Sequence, residues 1–204
     1  MCPMATIRSI CVYCGSSPGK DPAFVATAQA FGKIMAENGV KLVYGGGSKG
    51  LMGAVAAGVL ENGGKVLGVI PEFLKARELA MKGATELVVT RNMHERKQIM
   101  FERADAFVAL PGGIGTLEEL VEQLTWSQLG RHRKPILFAN INGFWDPLCE
   151  LLDHMKNNGF IHSELSFEYG LADRVEDILP QLRTAVAKHT EAEEEGVPSV
   201  IGKM

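Results

Sequence analysis

The segment PGGIGTLEE, residues 111–119, is preceded upstream by NMHERK, residues 92–97. Together they place three acids, two cations and a glycine-rich turn close in sequence. Pro111 lacks a backbone donor and stops a strand. Gly112, Gly113 and Gly115 let the backbone approach a ligand closely. Thr116 offers a hydroxyl near a helix N-terminus, and Glu118 and Glu119 fall in the first turn. The helix dipole favours acids there by about 0.3–1 kcal/mol each. That accounts for the acids but not for the glycines.

In the upstream segment, Asn92 and Glu95 have capping-box spacing, which gives Glu95 a structural role. Met93, Met100 and Ala104 mark an apolar stripe, with Lys97 inside it and Arg96 at its border. Cations there cost stability unless paired. Either their stems snorkel to water, or their heads meet a phosphate or a catalytic carboxylate, which Arg grips in bidentate fashion. A third segment, residues 45–50, reads GGGSKG and fits G-x-G-x-x-G. A dinucleotide site would also want an acid near the end of the next strand, and the sole candidate, Glu72, lies beyond Pro71. The triphosphate-binding pattern G-x-x-x-x-G-K-[ST] is absent.

The elements that must position these residues alternate. Short, nearly continuous apolar runs at 10–13, 41–44, 65–70, 87–90, 106–110 and 135–139 read as parallel strands covered on both faces. Helical periods fall at 22–38, 50–62, 92–104, 115–129, 145–158 and 175–188. Asn38-Gly39, Asn62-Gly63 and Asn158-Gly159 stand where helices should stop. The pattern predicts an α/β fold, a single Rossmann-like doubly wound parallel sheet flanked by helices. Ligands bind such sheets beyond the carboxyl ends of the strands, where the glycine clusters at 15–17, at Gly45, Gly46 and Gly47, and at 111–116 all fall. Three such turns would aim many backbone N–H groups at one anion.

Within 115–129, Leu117, Leu120, Val121 and Leu124 form the stripe expected to face the sheet. Glu118, Glu122 and Thr125 share a flank. Trp126 and Leu129 lie apart as a second apolar face, which a partner subunit would cover.

The whole chain sets further bounds. Its 204 residues suit one domain, assigned to 1–189, with 190–204 (acidic, then irregular) read as a flexible tail. A net charge of −3 argues against nucleic acid as a partner. No stretch approaches the roughly 18 apolar residues of a membrane span, and the start lacks the features of a signal peptide. The expected compartment is the cytoplasm. Cys11 and Cys14 lie on a strand rather than at a helix start, and no second pair completes a zinc site, so they are read as packing residues and no metal is expected. The five histidines show no ligand spacing.

PGGIGTLEE, following MHERKQIMFERADAFVAL and followed by LVEQLTWSQLGRHRKPI, resembles the LONELY GUY family, the cytokinin-activating phosphoribohydrolases. The resemblance runs from CVYCGSSPG through GGGSKGLMG to about residue 159. Many members were once labelled lysine decarboxylases, but no lysine here is identifiable as a pyridoxal-binding one. The resemblance implies a homodimer with its site at the subunit junction, no dissociable cofactor, and hydrolysis of a purine nucleoside 5′-monophosphate to free base and ribose 5-phosphate. Carried over by motif, Arg96 and Glu119 are the catalytic pair. Glu78, Lys97, Gly112, Gly113, Ile114, Gly115, Thr116, Leu117, Glu118 and Thr125 match substrate-binding positions, and Gly46 and Gly47 are expected to join them. The alternative is a non-catalytic nucleotide or molybdenum-cofactor carrier on the same fold. A carrier needs the glycines but not Arg96 with Glu119.

Overall fold

A computed structural model describes residues 6–75, 81, 83–161 and 168–194. The predicted strands form as β1 (Ser9–Tyr13), β2 (Lys41–Tyr44), β3 (Val66–Pro71), β4 (Glu86–Thr90), β5 (Ala106–Ala109) and β6 (Ile136–Ala139). The sequence reading missed a seventh, β7 (Gly170–Ala172). Three residues led by a glycine carry no readable period. All neighbours in the sheet are parallel, in the order β4-β3-β2-β1-β5-β6-β7. The order reverses between β1 and β5, which opens a crevice at the carboxyl edge.

The helices are α1 (Pro22–Glu37), α2 (Gly50–Glu61), the short α3 (Glu72–Lys75), α4 (Met93–Glu102), α5 (Ile114–Gln128), α6 (Asp146–Asn157) and α7 (Val175–Glu194). The Asp21 side chain caps α1 by accepting from the Ala23 N–H at 2.9 Å. Asn38 then ends α1, followed by Gly39 at φ 68°. The helix α7 continues to Glu194, into the stretch read as tail, and residues 195–204 lie outside the described residues.

Alternate strand residues feed two cores. Ile10, Val12, Leu42 and Tyr44 pack with α1, α2 and α7 on one face. Cys11, Tyr13, Val43 and Phe107 pack with α4, α5 and α6 on the other. Cys11 and Cys14 therefore face opposite cores, both as free thiols. The helices α1 and α2 meet through Gly32 and Gly58, where a β-carbon would strike the opposing backbone.

One expectation about α5 is corrected. Its buried stripe is Thr116, Glu119, Leu120, Gln123 and Leu124, while Leu117 is half-buried and Val121 is 42% exposed. Hydropathy alone turns the helix too far toward Val121. Glu119 instead turns inward toward a buried cation on α4.

Candidate active site

At the carboxyl edge, a cleft of about 420 Å³ lies between the ends of β1 and β2 and the helices α4 and α5. Its lining includes Gly45, Met52, Leu74, Met93, Arg96, Gly113, Ile114, Gly115, Thr116, Glu118 and Glu119. Residues far apart in sequence meet here because α4 and α5 lie on the same face of the sheet.

The helix α4 starts at Asn92, whose side-chain oxygen accepts from the Glu95 N–H at 2.9 Å. Glu95 reaches back to the Arg91 N–H at 2.8 Å, so it caps the helix as expected, one residue off the standard box. This start directs Arg96 inward, where it is only 6% exposed. Its guanidinium lies against Gly45, where any β-carbon would collide with it. Arg96 Nη2 stands 3.7 Å from Glu119 Oε1, and Glu119 is 8% exposed. Arg96 Nε is buried without a hydrogen-bond partner among the described residues. The cation is thus paired rather than snorkelled, and one of its donors meets no acceptor among the described residues.

Lys97 points to the flank. Its Nζ lies 2.7 Å from Glu118 Oε1 and 2.9 Å from Glu122 Oε1. Burial acts to lower the Lys97 pKa, but these hydrogen bonds outweigh it and hold the group above its ordinary value. Three ion pairs therefore join α4 to α5, that of Arg96 opening on the cleft and the two of Lys97 beside it.

The α5 N-terminus has no side-chain cap at Gly113. The first four N–H groups of a helix have no intrahelical acceptor, so this end presents donors and the positive pole of the dipole to the cleft. The glycines divide by purpose. A β-carbon at Gly112 would collide with the Thr116 side chain, so packing demands that glycine. A β-carbon at Gly113 or Gly115 would meet nothing within 4 Å among the described residues, and neither has a positive φ. Protein packing does not explain them. Both line the cleft, where they leave the backbone open.

The GGGSKG turn behaves differently from expectation. The N–H groups of Leu51 and Met52 at the head of α2 donate to the Gly15 carbonyl, at 3.0 and 3.3 Å. That helix end is already satisfied, so the three glycine turns do not all aim donors at one anion. Gly46 packs back toward Ile70 and its carbonyl accepts from Met81, and neither it nor Gly47 lines the cleft. Leu117 and Thr125 also lie off this cleft. The Thr125 hydroxyl donates to the Val121 carbonyl at 2.8 Å on an exposed face. Glu78 lies outside the described residues. Trp126, expected at a subunit contact, is half-buried in its own chain, edge-on to Phe101 at 5.0 Å. The apolar residues left exposed along α5 are Ile114, Val121 and, at its end, Leu129.

Sequence reading missed the apolar lining, Met52, Leu74 and Met93. Met52 and Met93 begin helices at the same sheet edge as the glycine turns, and that position was the available signal. Burial pushes the thiols of Cys11 and of Cys14, which lines the cleft, and the Tyr13 phenol well up, and the Glu119 charge adds to each.

A family model described as possible lysine decarboxylase matches residues 52–182. The probable cytokinin riboside 5′-monophosphate phosphoribohydrolase LOG4 of Oryza sativa subsp. japonica is 46% identical over 181 residues, 89% of this chain and 79% of that one. The chain belongs to the LONELY GUY family. The cytokinin riboside 5′-monophosphate phosphoribohydrolase of Rhodococcoides fascians is likewise 46% identical, over 76% of this chain and 79% of its own. Among solved structures, the molybdenum cofactor carrier protein of Chlamydomonas reinhardtii aligns with a TM-score of 0.66 at 23% identity, covering 89% of this chain and 99% of that one. That likeness is one of fold. Among the described residues of this LONELY GUY family chain, no helix is long and apolar enough to cross a membrane.

Proposed function

We propose that this protein hydrolyses the N-glycosidic bond of adenosine 5′-monophosphate or an N6-substituted relative, releasing free base and ribose 5-phosphate. The observation that carries this reading is the buried Arg96–Glu119 pair opening on a cleft beside an uncapped helix end. In this reading the α5 N-terminus, Gly113, Gly115 and Thr116 receive the 5′-phosphate. Met52, Leu74 and Met93 give the base an apolar wall. Cleavage develops positive charge on the ribose as the bond to the base breaks, and water adds at the same carbon. The Glu119 carboxylate supplies the negative charge that this oxocarbenium-like state needs. Arg96 orients that carboxylate and keeps Nε for a substrate oxygen. The names of the sequence relatives support the same chemistry. A carrier would need the glycine turn but has no use for a buried acid–guanidinium pair.

The reading includes a homodimer in the cytoplasm. Ile114 is 83%, Val121 42% and Leu129 66% exposed along one side of α5, a surface suited to a second copy. Thr125, exposed on that side, would then reach the partner's site rather than its own. The free thiols Cys11, Cys14 and Cys149 suit a reducing compartment.

The test is a chromatographic assay of AMP against adenosine. AMP should yield adenine and ribose 5-phosphate, and adenosine should react at least about a hundredfold more slowly, because binding the remote phosphate positions the reacting carbon. Equal rates would remove the phosphate site from the account.

A further inference from the structure

Lys97 joins two acids that lie one turn apart on α5, and only one of them reaches the cleft. Its Nζ donates to Glu118 Oε1 at 2.7 Å and to Glu122 Oε1 at 2.9 Å. Glu118 lines the cleft, whereas neither Lys97 nor Glu122 does. From the cleft, Lys97 stands behind Glu118. The substrate-binding role that its motif position implies therefore runs through Glu118.

The second acid is what needs an explanation. The contact to Glu118 alone would already link α4 to α5. The Glu118 side chain is largely exposed, however, and an exposed ion pair holds its partners only weakly. Glu122 is more enclosed, and its Oε2 is buried with no hydrogen-bond partner among the described residues. Such an oxygen costs stability, and a neutral side chain there would avoid the cost. The charge of Glu122 has a use if it fixes the ammonium. Burial acts against the charged form of Lys97, and the hydrogen bonds to the two acids outweigh it.

The chemistry of the cleft says what Glu118 would meet. With the 5′-phosphate at the α5 N-terminus and the reacting carbon at Glu119, the ribose spans the stretch that Glu118 also lines. An ionised carboxylate only accepts hydrogen bonds, and the donors that a ribose offers are its 2′- and 3′-hydroxyls. Lys97 engages Oε1 and leaves Oε2 for a hydroxyl. We propose that Glu122 is a positioning residue: it anchors Lys97, which holds the Glu118 carboxylate toward the ribose hydroxyls, so that the site selects ribonucleotides over deoxynucleotides at binding. This inference rests on the hydrolase reading for where the ribose lies, and not for the bond-breaking step.

The test compares AMP with its 2′,3′-dideoxy analogue by calorimetry, in the Glu119→Gln background so that nucleotide is not consumed. AMP should bind about tenfold or more tighter, as expected for hydrogen bonds to a charged group. Glu122→Gln keeps the size and removes the charge. It should weaken AMP about fivefold or more and leave the dideoxy analogue within about twofold, because only AMP uses the oriented carboxylate. A merely structural role would weaken both nucleotides alike, and that result would overturn the proposal, as would an unchanged AMP affinity. The effect should vanish in a protein already carrying Glu118→Gln, since residues acting as one unit are not additive. Full additivity would overturn the route through Glu118. With Glu119 intact, Glu122→Gln should raise the KM for AMP about fivefold or more and leave kcat within about twofold. One measurement leaves Glu122 untouched. In lysine side-chain NMR, the Lys97 signal, assigned through Lys97→Met, should move when AMP is added and much less with the dideoxy analogue. A signal indifferent to the hydroxyls would overturn the proposal. If AMP binds with this preference and no base is released by the unmodified protein, the hydrolase reading falls and this inference stands. If base is released by a protein indifferent to the hydroxyls, this inference falls alone.

Discussion

Glu118 has a side chain 53% exposed and bonded to Lys97, whereas its neighbour Glu119 is buried against Arg96. Both acids were expected in the first turn of α5, where the dipole would favour them alike, but the helix starts at Ile114 and neither lies in that turn. What separates them is direction: successive helical residues turn by about 100°. The Arg96–Glu119 pairing could be anticipated from the motif, because a cation bordering an apolar stripe needs a counter-charge. The burial of Gln123 could not, because a lone glutamine in a helix reads as solvent-facing. Gly115 gives the sharpest residue-scale test. It is a helical residue whose β-carbon would touch nothing among the described residues. Gly115→Ala should hold or raise the thermal midpoint, since alanine favours a helix by about 0.5–1 kcal/mol over glycine. The same change should raise KM for AMP about tenfold or more by filling the space against the backbone, a steric cost of at least about 1.4 kcal/mol. Calorimetry and steady-state kinetics on one preparation check both. A variant with an unaltered KM would mean that the phosphate does not sit there.

The elements were legible where their period was long. Six strands were predicted at their observed places, and β7 was not, because a three-residue edge strand beginning with Gly170 shows no alternation. The rotation of α5 was misjudged because a hydrophobic stripe cannot see that α4 supplies a buried cation. The satisfied N-terminus of α2 was also out of reach, since its acceptor, the Gly15 carbonyl, comes from another loop. The far end of α5 carries a pH-dependent contact. The Lys134 N–H can only donate, so His132 Nδ1 accepts from it at 3.1 Å, and Nε2–H donates to the Gln123 carbonyl. Burial lowers the His132 pKa, which favours the neutral ring in the folded state. The unfolded chain therefore binds its proton first as pH falls below about 6.5. The stability that neutral His132 contributes is present above that pH and is lost as pH falls toward the depressed folded value. Thermal midpoints measured between about pH 7 and pH 5 should decline less steeply in His132→Gln than in the unmodified protein. Parallel slopes would show that His132 does not titrate on unfolding.

At the scale of the molecule, the reversal of strand order between β1 and β5 creates the crevice, and the site stands beside it. Alternation of strand and helix was enough to predict that architecture, since parallel strands need crossover helices. Sequence and structure favour different residues of α5 for the proposed dimer contact. Trp126 was expected at the contact, yet Phe101 covers it from within the chain. A dimer through α5 would bury Val121 and Leu129 instead. Val121→Glu should therefore give a monomer by light scattering, with activity lost in the same preparation. Trp126→Glu should act mainly by destabilising the fold. A fully active Val121→Glu monomer would place the whole site within one chain. The claim on which the rest depends is that Glu119 serves the reacting centre rather than merely bracing Arg96. The measurement that reaches it most directly is the rate of adenine release from AMP by Glu119→Gln, alongside calorimetric AMP affinity. The side chain keeps its size and loses its charge. The account predicts kcat lower by roughly a hundredfold or more, in line with lost electrostatic stabilisation of the transition state, with affinity nearly unchanged. A near-normal kcat would contradict it.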